Sequence, residues 1–395
     1  MSNRQVVIVS GVRTAIGDYG GSLKDIAPSD LAARVVKEAV ARAKVDPKEV
    51  GQCVIGNVLH TEPKDMYISR LACVNGGLPV DTGAFTVNRL CGSGMQAIVS
   101  ASQYILLGDT DAAVAGGAES MSRAIYMNLT QRWGARMGDT KMLDAMVGAL
   151  TDPFDTIHMG VTAENVAAHC GITREQQDAF AVESHRRAAS AIAKGHFKDQ
   201  ILPIELKSKK GSIQFDTDEH VRNDATLEGM AKLRAAFIKE NGTVTAGNAS
   251  GLNDAAAAVV LMEAGAAKAR GLQPMARLVA YGHAGIDPKV MGLGPVSAVQ
   301  RALAKAGLSL AQMDVIESNE AFAAQALGVN KELGMDAAKV NPNGGAVALG
   351  HPIGATGCLL TVKAMYELHR TGGRYGLITM CIGGGQGIAA VIERM

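Results

Sequence analysis

Two stretches far apart in the chain follow the same plan, and that repetition limits the available folds more than any other feature. AVARAKVDPKEVGQCVIGN (39–57) and RALAKAGLSLAQMDVIESN (301–319) each read as helix, short turn, helix start and then an apolar strand ending in asparagine. A second pair follows in the same order. DAAVAGGAESMS (111–122) and YGLITMCIGGGQG (375–387) both run from an apolar strand into a glycine-rich loop. Two matched pairs in one order predict a duplicated α/β unit, each half built on its own mixed sheet. A length of 395 residues agrees, being too long for one ordinary core. With 46 glycines and only 4% aromatics, the interior falls to Ala, Val, Ile and Leu, which suits close packing of helices on sheets.

Between the halves the texture changes. Trp133, Arg132, Arg136 and the methionines at 121, 127, 137, 142 and 146 crowd one stretch. A charged helical run is expected from Thr162 to Lys194, then a polar strand-and-turn portion through Val221. A helix-length apolar stretch at Asn253–Leu261 is expected to return the chain to the first unit. The organisation predicted is a first half at 1–121 plus 251–273, an inserted domain at 122–250 and a second half at 274–395. Met and Arg suit an adaptable interface, although an ordinary core also accounts for Met.

Charge excludes one class of partner. Lys and Arg number 39 against 38 Asp and Glu, so there is no electrostatic case for nucleic acid. The one basic cluster, Lys207-Ser-Lys-Lys210, reads as a solvated turn. Six scattered cysteines without a C-x-x-C pair suggest neither a zinc site nor a disulfide framework, and reduced thiols in a cytosolic protein fit them. Met1-Ser-Asn-Arg-Gln runs straight into the strand-like Val6–Val9, which predicts no signal or transit peptide. No run of about 18 apolar residues predicts a membrane span. The expected location is the cytoplasm.

The chemistry concentrates in four stretches. In VNRLCGSGMQAIVSASQYILLG (87–108), Cys91 falls between a strand-like run and a helix with apolar residues at helical spacing. A helix N-terminus favours an anion and lowers a thiol pKa, making a nucleophile. A buried small hydrophobe is the other reading. In NEAFAAQA (319–326), Asn319 stands where a strand gives way to a helix and could cap it. NPNGGAVALGHPIGATG (341–357) fixes His351 between Gly350 and Pro352 at a helix start. MCIGGGQG (380–387) ends a strand with Cys381, and its glycines expose amides able to meet a developing anion. Two cysteines, a histidine and an asparagine at such junctions make an acyl-transfer set.

Together with VSGVRTAIG (9–17), GGAESMS (116–122) and TAGNASGLNDAAAA (245–258), these stretches resemble the thiolase family over essentially the whole chain. GHPIGATG and CIGGGQG in combination are the specific part. The resemblance implies a duplicated αβαβα layered fold with two mixed five-stranded sheets and an inserted loop domain. It further implies a short-chain biosynthetic β-ketothiolase, condensing two acetyl-CoA to acetoacetyl-CoA or cleaving short 3-ketoacyl-CoA by ping-pong chemistry. Cys91 would be the acylated nucleophile and His351 its base. Asn319 would hold a water sharing an oxyanion hole with His351, and Cys381 would be the second acid/base. The amides of Cys91 and Gly383 would form another oxyanion hole. For coenzyme A and the acyl group the matching positions are Leu150, His158, Met159, Arg222, Phe237, Ala246, Ser250, Met291 and Phe322. Gly229 stands where the family often has a polar residue, which puts one contact to the nucleotide end in question. No metal or cofactor beyond the coenzyme A thioesters is expected, and the resemblance implies a homo-oligomer, a tetramer.

Rival readings differ in specific residues. A ketoacyl synthase of the same broad fold would decarboxylate malonyl thioesters, but Cys381 is not the second His or Asn it uses. Gly92-Ser-Gly94 is not a G-x-S-x-G elbow, and Ile388 breaks any dinucleotide fingerprint in the 383–387 glycines. A non-catalytic lipid carrier on the same scaffold could dispense with the reactive groups, and this chain retains all four. His158-Met159 and His169-Cys170 lack metal-ligand spacing.

Overall fold

A computed structural model describes residues 4–208 and 211–395, without the Ser208 side chain. Lys209 and Lys210 of the basic cluster lie outside the described residues, as do the first three residues. Nine strands form the main path of a mixed sheet: β1 (Val6–Thr14), β2 (Val50–Gly56), β3 (Gly83–Val87), β4 (Ala112–Ser120), β5 (Asn253–Glu263), β6 (Ala276–Gly285), β7 (Val315–Ser318), β8 (Tyr375–Ile382) and β9 (Gln386–Arg394). Their order is β7-β8-β9-β6-β1-β5-β4-β2-β3. Two short strands join off this path, Gly17–Asp18 on β5 and Ile201–Leu202 on β1.

The duplication is visible strand by strand. β2 pairs parallel with β4, and β7 pairs parallel with β8. β1 pairs antiparallel with β5 across a register shift between Ile8 and Ser10, and β6 with β9 across a shift between Leu278 and Ala280. The helix-to-strand echo also holds. Helix α1 (Pro28–Ala43), a 3-10 turn at Pro47–Glu49 and β2 lead to Asn57. Helix α5 (Gly294–Ala306; α2 to α4 are placed below), a 3-10 turn at Leu310–Gln312 and β7 lead to Asn319.

Two features differ from expectation. The halves do not keep separate sheets, because β1 and β6 pair edge to edge through Val7–Arg277 and Ile8–Ala276. The second half also contributes four strands, its fifth reduced to a single parallel bridge between Ile316 and Val340. The two pairs cover one end of each exposed edge, and Ile201–Leu202 covers the Arg13–Thr14 end of β1.

Helices complete the layers. Helix α2 (Ser93–Leu107) and helix α7 (Thr356–Thr371) pack on each other in the middle, and α7 touches β7 and β8 of one half and β4 and β5 of the other. Alternation along β1 puts Ser10 against α1, its hydroxyl donating to Ala39 O at 2.6 Å, while Gly11 meets Val362 and Met365 of α7. Helix α5 covers β6 and β9.

Asn253–Leu261, the apolar stretch of helix length, is the greater part of β5. It lies between β1 and β4, antiparallel to both and buried on both faces. A fully buried strand reads as a continuous apolar run with no period to mark it. It nevertheless returns the chain to the first half. The expected helical run at 162–194 is two helices, α3 (Met159–Cys170) and α4 (Arg174–Ala193), parted at Gly171, which takes φ +65. The 211–222 segment is tied back to β1 by Arg13, whose guanidinium makes a buried two-pronged contact with Asp218 at 2.7 and 2.9 Å. Among the described residues no helix is long and apolar enough to cross a membrane.

Candidate active site

Cys91 is placed by a tight turn after β3. Asn88 Oδ1 accepts the Leu90 amide at 3.0 Å, and Ser93 Oγ bridges the Arg89 amide and the Leu90 carbonyl at 2.9 and 2.6 Å. Leu90 is held at φ +44, a conformation uncommon for a side chain of its kind. Cys91 therefore directly precedes Gly92, the cap of α2. The helix start is where the sequence put it, but the thiol is not lowered. Burial pushes it up to about 11, and the Glu119 charge adds to this. Hydrogen bonds from the Gly383 backbone and Cys91's own backbone pull the other way and favour the thiolate. Desolvation of the thiolate outweighs those two backbone donors.

His351 lies in the turn after a short helix at Ala346–Leu349. Its amide donates to Asn253 Oδ1 at 2.9 Å, which ties the turn to β5. Nδ1 lies 2.6 Å from Thr356 Oγ1 and Nε2 lies 3.4 Å from Asn319 Nδ2. Burial lowers the imidazole to about 4, so the ring is neutral at pH 7. Asn319 does not cap a helix. The following helix, α6 (Ala323–Leu333), starts with Phe322 in the cap position, and the Asn319 side chain turns to His351 instead. Asn319 Oδ1 is buried with no partner among the described residues.

Cys381 is the second-last residue of β8 and fully buried, its thiol pushed up by burial and by the neighbouring Cys91. Glu119, at the end of β4, is a residue that the sequence alone gives no reason to assign a task. Its carboxylate accepts from the amides of Val58, Leu59 and Gly354 and from Asn57 Nδ2, at 2.8–3.1 Å. It thereby clamps the turn after His351 to the end of β2.

Cys91, His351, Cys381 and Gly383 line one largely apolar cavity of about 410 Å³. Leu150, His158, Met159, Phe237, Ala246, Ser250, Met291 and Phe322 line it too. His158 accepts the Gly160 amide on Nδ1 at 3.0 Å and stacks on Phe237 at 4.7 Å, while Phe237 meets Phe322 edge-on. Gly160 is required here, since a β-carbon would overlap the Phe237 ring.

Arg222 is not in that cavity. It lines an adjoining one of about 330 Å³ with His185, His220 and Gly229, and Ala246 lines both. Leu90, Leu252 and Ile353 also line the main cavity, although isolated apolar residues carry no sequence signal of facing a ligand, and Met121 and Met146 of the methionine-rich stretch line it too. Among the described residues no group of three or more His, Cys, Asp or Glu is arranged to hold a metal ion.

The comparisons with known proteins agree along the whole chain. The family described as "Thiolase, N-terminal domain" matches residues 6–265, and "Thiolase, C-terminal domain" matches 272–394. The chain is 67% identical to "Beta-ketothiolase BktB" of Cupriavidus necator, over 99% of its own length and 100% of the relative's. It is 50% identical to an acetyl-CoA acetyltransferase of Chromobacterium violaceum over the same shares. Among solved structures, the Bacillus anthracis acetyl-CoA acetyltransferase superposes with a TM-score of 0.96 at 47% identity, covering 99% of each chain. Human mitochondrial 3-ketoacyl-CoA thiolase in complex with CoA gives 0.96 at 44% identity, covering 99% of this chain and 98% of the other.

Proposed function

Because this chain belongs to the thiolase family, we propose that it is an acyltransferase of the β-ketothiolase type, joining two short acyl-CoA thioesters and, in reverse, cleaving short 3-ketoacyl-CoA. The observation that carries this reading is the meeting of Cys91, His351, Cys381 and Gly383 on one cavity, with Asn319 against His351. Two thiols at one site answer the two needs of the reaction. One must hold an acyl group, and another group must move the α-carbon proton.

In the condensing direction the neutral His351 takes the Cys91 proton as sulfur attacks the first thioester. Cys381 gives its proton to the departing coenzyme A sulfur, leaving an acyl-Cys91, an imidazolium and a Cys381 thiolate. That thiolate takes an α-proton from the second acetyl-CoA. The enolate oxygen is met by His351 and by a water held on Asn319, whose buried Oδ1 needs a donor. Carbon attack on acyl-Cys91 places charge where the amides of Cys91 and Gly383 can stabilise it. When the intermediate collapses, His351 returns its proton to Cys91.

The coenzyme A would run from the main cavity past Ala246 to Arg222 at the nucleotide end. Met291 would border the acyl group. Residues 122–250 would serve coenzyme A binding and assembly, between halves at 1–121 plus 251–273 and 274–395. Trp133 and Met137 are 90% and 97% exposed in that segment, which favours a homo-oligomer, taken here as a tetramer. The six unpaired cysteines suit a reducing compartment, the cytoplasm. No bound metal or redox group enters this scheme.

The test is thiolysis of acetoacetyl-CoA beside 3-ketovaleryl-CoA and longer 3-ketoacyl-CoAs, with malonyl-CoA offered as extender in the synthetic direction. Turnover of the C4 and C5 substrates is expected. Condensation only with malonyl-CoA would instead mark a decarboxylating synthase, and no turnover with any of them a carrier.

A further inference from the structure

The proposal rests on the reading of His351 as the base for Cys91, and concerns what makes that nitrogen basic. A neutral imidazole carries one proton, and only the bare nitrogen can accept another. His351 presents Nε2 to Asn319 and Nδ1 to Thr356. To take a proton from Cys91 through the nitrogen on the Asn319 side, the ring must carry its own proton on Nδ1.

Thr356 is built to enforce that choice. It is buried in the first turn of α7, and its Oγ1 lies 2.6 Å from His351 Nδ1 and 3.0 Å from Pro352 O. A carbonyl can only accept, so the single hydroxyl proton satisfies it, in the bond that threonine makes to the carbonyl four residues earlier. The hydroxyl oxygen then has only lone pairs to offer Nδ1, which must donate. At the other end, the Asn319 amide nitrogen facing Nε2 is a donor and asks for a bare nitrogen. Both ends of the ring agree.

We propose that Thr356 is a positioning residue that fixes the Nδ1–H tautomer of His351, leaving Nε2 as the base. It touches neither substrate nor Cys91 in this scheme and acts through the imidazole alone. Asn253 holds the histidine's backbone; Thr356 decides which ring nitrogen is bare.

The experiment uses the full chain labelled with ¹⁵N-histidine, with the His351 signals assigned by their absence from His351→Asn. At pH 7 the wild type is expected to show Nδ1 protonated and Nε2 bare. In Thr356→Val the ring loses its acceptor and should shift toward the other tautomer or a mixture. Single-turnover acetylation of Cys91 by acetyl-CoA should fall about 10- to 100-fold, below the full loss typical of removing a general base. The KM for acetyl-CoA should stay within about twofold, because a tautomer change leaves ground-state binding alone. Thr356→Ser keeps the hydroxyl and should restore both the tautomer and most of the rate. A merely structural threonine would lower stability without moving the tautomer. A wild-type ring protonated on Nε2, or a Thr356→Val enzyme with unchanged tautomer and acetylation, overturns the proposal. If Thr356→Val does not fold, the wild-type and serine spectra still decide it. Failure of the wild type to acetylate Cys91 would sink the functional reading instead, and the tautomer can be read without any turnover.

Discussion

Asn253, the first residue of β5 in the first half, holds His351 of the second half by its backbone. Its Oδ1 accepts the His351 amide at 2.9 Å while its Nδ2 donates to Gly17 O at 3.1 Å. The side chain fills the space beside Gly350, where a β-carbon would overlap it, and Gly350 adopts φ +107. Only glycine adopts that backbone readily. The histidine is thus placed by a contact between the duplicated halves and not by its own loop alone.

This contact makes the first prediction. Asn253→Ala leaves a buried donor without its acceptor and should destabilise the chain by about 1–3 kcal/mol. Gly350→Ala should do at least as much harm, combining backbone strain with the overlap. Both should lower acetylation of Cys91 more than tenfold, read by single-turnover kinetics, with stability read from urea midpoints. Full acetylation rates in either variant would mean the turn keeps His351 in place without them.

The Cys91 thiol, pushed up to about 11, sets a pH dependence. Its unprotonated fraction should rise about tenfold per pH unit until near that value. The rate of alkylation by iodoacetamide should therefore climb steadily from pH 7 to 10, and preincubation with acetyl-CoA should abolish labelling. Mass spectrometry of the Cys91 peptide measures both. A plateau already reached by pH 8 would mean a thiol lowered by the helix start after all.

Arg222 is proposed to serve coenzyme A binding. Its side chain is 65% exposed and 3.9 Å from Asp18 at the rim of the smaller cavity. Arg222→Ala should raise the KM for CoA about three- to tenfold, the scale of about 1 kcal/mol for an exposed charge contact, and leave kcat nearly unchanged. Steady-state thiolysis with CoA varied tests this; a large kcat loss at constant KM contradicts it.

Assembly is tested at Trp133. Replacing so exposed an indole by serine should weaken the oligomer, seen by light scattering as a lower mass or a steeper concentration dependence. A wild type with the mass of one chain at working concentration removes the interface.

What the sequence disclosed, and what it hid, follows from range. The helix, 3-10 turn, strand and asparagine leading to Asn57 and Asn319 are local patterns, and the duplication was legible in them. Cys91, His351 and Cys381, which share one cavity, stand out as candidates for the same reason, because glycine and proline punctuate the turns that carry them. β5 is not legible as a strand because Ala255–Ala258 and the Val-Val-Leu after them are buried on both faces and show no period. The rise in the Cys91 pKa comes first from burial among residues brought there by other elements and only then from Glu119. The joining of the sheets through β1 and β6 rests on two residue pairs at strand ends, which nothing in either strand announces.

Cys381→Ala should separate the two half-reactions. Acylation needs the Cys91 sulfur, neutral His351 and the amides around the thioester oxygen, and all remain; only the proton for the departing coenzyme A must then come from water. The variant should still become acetylated, more slowly. Condensation is different, because an α-carbon proton must leave and no other side chain on the cavity is assigned to take it. Burial and the nearby Cys91 keep the Cys381 thiol well above its ordinary range, so its thiolate, once formed, is a strong base. Removing a positioned general base typically costs about 10²–10⁴-fold, and a carbon acid should fall at or beyond the top of that range. If Cys381 merely fills the end of a buried strand, alanine would leave a small void and depress both half-reactions alike. Radiolabelled acetyl-enzyme formation measured beside acetoacetyl-CoA synthesis distinguishes the two, and equal losses would retire Cys381 as the base.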